Sequence, residues 1–166
     1  MIFAFYLLAI ALGILIHWYV AGRPRSGERV IEIALLYLLV IGGGVSGMVA
    51  FIGHAFYADA TARSIGWQPG SPFQFEIAIA NLSYGVLGLM CIRVRGPFWL
   101  ATGLAISILL LGCNYGHLYQ AIVNNNYSPD NYGAINVFEI VWPAAVLILL
   151  IPYMRSLNRK RAATTG

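Results

Sequence analysis

The sequence predicts an all-α integral membrane bundle of five transmembrane helices, and three observations carry that class. Hydrophobic residues make up 60% of the 166-residue chain and charged residues 10%, where an ordinary soluble domain carries about 25% charge. Mean hydropathy is +0.75. Apolar runs long enough to cross the hydrocarbon as helices, about 20 residues each, recur along the chain with Arg and Lys gathered between them. A soluble sphere of this size has too little interior to hide so much apolar surface. Composition therefore excludes a disordered chain, a nucleic-acid-binding protein and a typical water-soluble enzyme. Two cysteines, Cys91 and Cys113, are too few for a disulfide framework.

The spans fall at about residues 2–20, 30–53, 73–92, 98–122 and 134–153 of a single transmembrane domain, 1–166. All are helices, because lipid cannot satisfy the open backbone groups of a strand, and the alternation of a barrel strand is absent. The first run has no basic stretch before it and its positive charges follow it, so it reads as a retained helix rather than a signal peptide. Arg23, Arg25, Arg29, Arg93, Arg95, Arg155, Arg159, Lys160 and Arg161 fall on one side of a five-span chain, and Arg63 alone on the other. The positive-inside rule then puts the N-terminus outside and the C-terminus in the cytoplasm. The expected location is the bacterial inner membrane. The net charge of +4 is a topology signal, with anionic lipid as the one electrostatic partner at the tail.

The outer loops are longer and richer in polar groups. Residues 54–63 contain no helix breaker and read as an amphipathic extension of the second span, with Asp59 and Arg63 four apart for pairing. Pro69-Gly70 has the signature of a type II turn. Ser71, Pro72 and Gln74 read as N-cap, first helical residue and capping-box partner of the third span. In the second loop, Ser128-Pro129 reads as the start of one short turn, and Tyr115, Tyr119, Tyr127 and Tyr132 read as an interfacial belt.

Ionisable groups within spans are costly and point to function. Counting about 1.5 Å of rise per residue puts His54, Glu76, His117 and Glu139 at one depth near the outer boundary, one on each of spans two to five. Asn114 with His117, and Asn136 with Glu139, share single helix faces. Asn81 lies deeper, and Cys113 shares the face of His117. If their faces turn inward, the four ionisable groups form a polar site open to the outside, with His54 beside Glu76 and His117 beside Glu139. Such a set suits a transition metal, axial haem ligation or a quinone-type site. No His-x₃-His, Glu-x-x-His or Cys-x-x-Cys spacing occurs, so no metal is assigned and the cofactor stays open. The alternative is that these are helix-end residues near headgroups and water. His17 lies at the wrong depth to join them and reads as a packing residue, and Glu32 as a helix-dipole partner. Gly42-Gly-Gly-Val-Ser-Gly47, Gly85, Gly88, Gly103 and Gly112 read as close helix packing. Pro143 and Pro152 read as a kink and an end of the fifth span.

Gly53-His-Ala-Phe56, Ile65-Gly-Trp-Gln-Pro69, Phe75-Glu-Ile-Ala78, Gly85-Val-Leu-Gly88 and the Arg93/Arg95 turn resemble the small DoxX-like membrane proteins of bacteria. The likeness covers about two-thirds of the chain. The stretch from Gly66 to Glu76 looks still more like an uncharacterised family of small bacterial membrane proteins. The DoxX resemblance implies a four-helix bundle tied to thiol, sulfur or quinone redox systems. This chain departs from it by an extra N-terminal helix, by His54 where that family often has Lys, and by Cys113 lying at the opposite leaflet from Cys91. The expected function is a redox- or quinone-linked membrane component with a polar site at its outer face. The alternative is a non-enzymatic accessory subunit that packs against other membrane proteins or a second copy of itself. A carrier ranks last, since no inverted repeat or half-helix pair is present. The expected partners are the lipid bilayer and other membrane proteins, with no nucleic acid.

Overall fold

A computed structural model describes residues 2–24 and 26–165. Arg25, one of the charges in the topology argument, lies outside the described residues. The helices are α1 (Ile2–Ala21), α2 (Gly27–Tyr37), α3 (Ser46–Phe56), α4 (Ala58–Ile65), α5 (Phe73–Met90), α6 (Pro97–Asn124) and α7 (Ala134–Thr165), with no strand among the described residues. Residues Leu38–Val45 form a π-helical segment that joins α2 to α3 without a break. Five of the resulting helices are long and apolar enough to cross a membrane: Ile2–Ala21, Gly27–Phe56, Phe73–Met90, Pro97–Asn124 and Ala134–Thr164. The protein is an all-α helical membrane bundle. Its two ends differ: a basic end holds Arg23, Arg29, Arg93, Arg95 and the tail of α7, and a polar-loop end holds α4 and the loop before α7.

The π segment follows from three adjacent glycines. A Cβ on Gly42 would lie 2.1 Å from Trp142 Nε1, and one on Gly44 would lie 2.8 Å from the backbone nitrogen of Leu89. Gly88 meets Gly44, and Gly85 meets Gly47, backbone against backbone. The widened turn frees carbonyls that need donors. Trp142 Nε1–H donates to the carbonyl of Leu38 at 2.9 Å, and the Ser46 hydroxyl donates to that of Gly42.

The basic end is held together by aromatic and ionic contacts around a cavity of about 350 Å³. Ser26 caps α2, its hydroxyl accepting from the Arg29 N–H. Glu32 pairs with Arg29 at 2.7 Å and with Arg95. Glu28 meets Arg159 and Lys160, each at 3.1 Å. Trp99 is fully buried, stacks on Tyr153 and donates to the Cys91 carbonyl. Deeper along α1 and α2, the Tyr37 hydroxyl meets His17 Nδ1 at 3.4 Å, the packing role expected of that histidine.

Four local expectations need correction. The extension after α3 is not continuous: Tyr57 (φ −126°, ψ 35°) breaks the chain, and α4 turns back so that Thr61 donates to the Gly53 carbonyl. Asp59 accepts from the Gly70 N–H at 2.9 Å rather than reaching Arg63, because the turn at Gly70 (φ +80°) carries that amide over α4. α5 begins one residue later than the cap pattern suggests. Ser71 accepts from the Phe73 N–H at 3.3 Å, and Gln74 points inward instead of closing a capping box. Finally, Pro152 does not end α7, which runs on to Thr165. Pro152 removes one hydrogen bond, while Tyr153, buried Ser156 and Lys160 after it are all held by the rest of the bundle.

Candidate functional site

The closest-packed helix pairs are α3 with α5 and α6 with α7. Both pairs pack on the π segment, one through α5 and the other through α6 and α7. Between them lies a cavity of about 650 Å³ with predominantly apolar walls. Phe3 and Tyr6 of α1 close one flank against Phe138 of α7, at ring separations of 5.5 and 5.8 Å. Ile2, Val49 and Ile108 line the cavity and are also exposed on the outer apolar surface, Ile108 by 71%. The cavity is therefore reachable from the depth at which lipid surrounds the bundle.

Its polar end is built by α3, α6 and α7. His117 and Glu139 are both buried, with His117 Nε2 3.7 Å from Glu139 Oε1. Glu139 Oε2 has no hydrogen-bond partner. Pro143 cannot donate to the backbone carbonyl of Glu139, four residues earlier, so that oxygen also loses its helical partner. Beside this pair, Asn136 Nδ2 donates to Asn114 Oδ1 at 3.1 Å. His54 of α3, Cys113 of α6 and Asn81 of α5 line the same cavity.

The loops form its roof. Trp67 stacks on His117, with ring centroids 6.2 Å apart and planes 21° from parallel, and meets Phe73 edge-on. Asn126 Nδ2 donates to the Ile65 carbonyl at 2.8 Å, and the Asp130 N–H to the Ser64 carbonyl. These bonds tie the loop before α7 to the end of α4. One helical turn closes from Ser128, whose carbonyl accepts from Asn131 and Tyr132 as expected of Ser128-Pro129. Asn131, fully buried, donates through Nδ2 to the carbonyls of His117 and Asn126, at 3.1 and 2.7 Å. Its Oδ1 therefore faces His117 Nδ1, at 2.9 Å, and that nitrogen carries the hydrogen.

Of the four residues expected to share one depth, the structure brings three to the cavity. His117 and Glu139 are neighbours, and His54 lines the same space. Glu76 is exposed, and His54 instead donates through Nδ1 to Gln74 Oε1 at 2.7 Å. Gln74 lies two residues before Glu76, about 200° away around the helix, so only one of them faces inward. Among the described residues, no three His, Cys, Asp or Glu side chains gather as metal ligands. Asn131 and Trp67 have no marker in the sequence as members of the site. Three successive asparagines precede Asn131 in the same loop, and Trp67 reads equally well as an interfacial aromatic.

The chain belongs to a family of unknown function (DUF6790), whose model matches residues 1–159. No curated protein and no solved structure matches it.

Proposed function

We propose that this family member is a component of the bacterial inner membrane that binds a lipophilic carrier of the quinone class in the cavity between the α3–α5 and α6–α7 pairs. One observation carries the reading: an apolar cavity, open toward the lipid beside Val49 and Ile108, ends in the buried His117–Glu139 pair. Ligand sites of this size are mostly apolar with a few convergent polar groups. A carrier with an isoprenoid tail enters from the bilayer and brings its polar ring to the histidines. Eight of the nine described Arg and Lys residues lie at the basic end, which by the positive-inside rule makes that end cytoplasmic and the cavity's polar end the outer one in a single transmembrane domain.

Organic extraction of the protein, purified with its native lipid in polymer-bounded discs, tests this reading. The expected result is an isoprenoid quinone or quinol at near-equimolar ratio, lost from a variant with a filled cavity. Equal amounts in the two preparations, at the level of bulk lipid, would contradict it and leave an accessory subunit as the better account.

A further inference from the structure

Around His117 and Glu139 the imidazole hydrogen is spent within the protein and acceptors are left over, while Gln74 Nε2, behind His54, is a buried donor without a partner. His117 Nδ1–H is taken by Asn131 Oδ1, which leaves the Nε2 lone pair on the Glu139 side. His54 Nδ1–H is taken by Gln74 Oε1, which leaves its Nε2 as an acceptor. Asn81 Nδ2 is taken by the Ile77 carbonyl, which leaves Oδ1. The Ser46 hydroxyl is taken by the π segment. Against these stand Glu139 Oε2, buried without a partner, and the Glu139 carbonyl released by Pro143. A carboxyl group offers an acceptor oxygen in either protonation form. Trp67 turns its ring face toward His117. The Tyr6 and Tyr84 hydroxyls on the lining both give and accept, and Cys113 is a weak donor. Tyr6, His54, Tyr84, Cys113, His117 and Glu139 are the ionisable lining groups among the described residues, with no Lys or Arg to supply a donor.

We propose that this site selects a ligand whose head group donates hydrogen bonds, the dihydroxy quinol form rather than the quinone, and that Asn131 is the positioning residue that keeps His117 Nε2 an acceptor. The proposal rests on the reading of the cavity as a quinone-class site. A hydroxyl placed there satisfies Glu139 Oε2 and an imidazole nitrogen at once. Beside His117, a quinone carbonyl meets the Nε2 lone pair as a like acceptor and leaves it unpaired, which is costly away from water. Without Asn131, His117 is free to carry its hydrogen on Nε2 and turn a donor toward the ligand. The same loss also removes the bonds from Asn131 Nδ2 to the carbonyls of His117 and Asn126.

Equilibrium binding to the full-length protein in micelles tests this with three probes: a decyl-chain benzoquinone, its quinol, and the quinol dimethyl ether. The quinol is expected to bind at least about tenfold more tightly than either of the others, the worth of one good hydrogen bond. Asn131→Ala is expected to reduce that ratio toward one. Asn131→Asp keeps an acceptor on Nδ1 and is expected to retain the ratio even if the loop is weakened. Equal binding of quinone and quinol overturns the selectivity and leaves the site reading standing. An unchanged ratio in Asn131→Ala overturns the positioning role. Absence of binding by all three probes overturns the site reading and the selectivity together.

Discussion

At Gly116, one residue before His117, an added Cβ meets nothing within 4 Å, although the residue lines the cavity. Gly116→Leu should therefore fill the cavity without a clash, and it replaces a poor helix former by a good one, a gain of about 0.5–1 kcal/mol. The expected outcome is a melting temperature equal to or above that of the parent, measured in micelles, with ligand binding lost. A variant that melts lower would show that the cavity is not open space. Trp142 gives the opposite case. Its indole N–H donates to the Leu38 carbonyl at the start of the π segment, so Trp142→Phe keeps most of the packing and removes that bond. Destabilisation of about 1–3 kcal/mol is expected, and an unchanged melt contradicts the assigned bond. These roles are hard to read from sequence. Rise per residue sets depth, and His117 and Glu139, given one depth by it, lie 3.7 Å apart. It does not fix the angle around the helix, so Gln74 and Glu76 look equally eligible until a neighbour selects one. Asn131 acts through the fold of its loop, where residue type alone does not separate it from Asn124, Asn125 or Asn126.

The helices themselves were largely legible, because a membrane span is written in length and hydropathy. All five spans are recovered, and the structure extends the last by about a dozen residues, to Thr165. The π segment was not legible: three glycines announce a close approach, but the extra residue in the turn depends on what fills the groove. Here Gly88 sits directly on Gly44, and a Cβ on Gly88 would lie 2.4 Å from the Gly44 nitrogen. Since both atoms belong to backbone, neither yields cheaply. Gly88→Ala is expected to cost about 1–3 kcal/mol by overpacking, whereas Gly112→Ala, with open space around its Cβ, should be neutral or stabilising. Thermal melts of the two variants compare the sites directly, and equal effects would mean that α5 does not rest on the π segment as described.

On the scale of the molecule, one end, the locked one, is held by ion pairs around a cavity of about 350 Å³, and the other, hollow end holds the larger apolar cavity of about 650 Å³. The locked end carries Trp99, Tyr153 and two acidic–basic clusters, while the hollow end carries the buried polar groups under a roof of two bonded loops. The proposed orientation, with the basic end in the cytoplasm, rests on the charge distribution and the positive-inside rule. In a background with Cys91 and Cys113 replaced by Ser, a cysteine at Tyr127 should react with an impermeant maleimide added outside intact cells, and one at Asn158 should not. Reaction of Asn158→Cys from outside reverses the orientation. The central claim, that the hollow end receives a quinone-class ligand at His117 and Glu139, is tested most directly by fluorescence. Trp67 stacks on His117 at the roof, whereas Trp18 and Trp99 lie at the basic end and Trp142 is buried against Gly42 and Gly43 of the π segment. Titration of the purified protein with a decyl-chain quinol and its quinone should give saturable quenching that is largely absent in Trp67→Phe and abolished in Gly116→Leu. Quenching that does not saturate, or that is the same in all three proteins, would contradict the account.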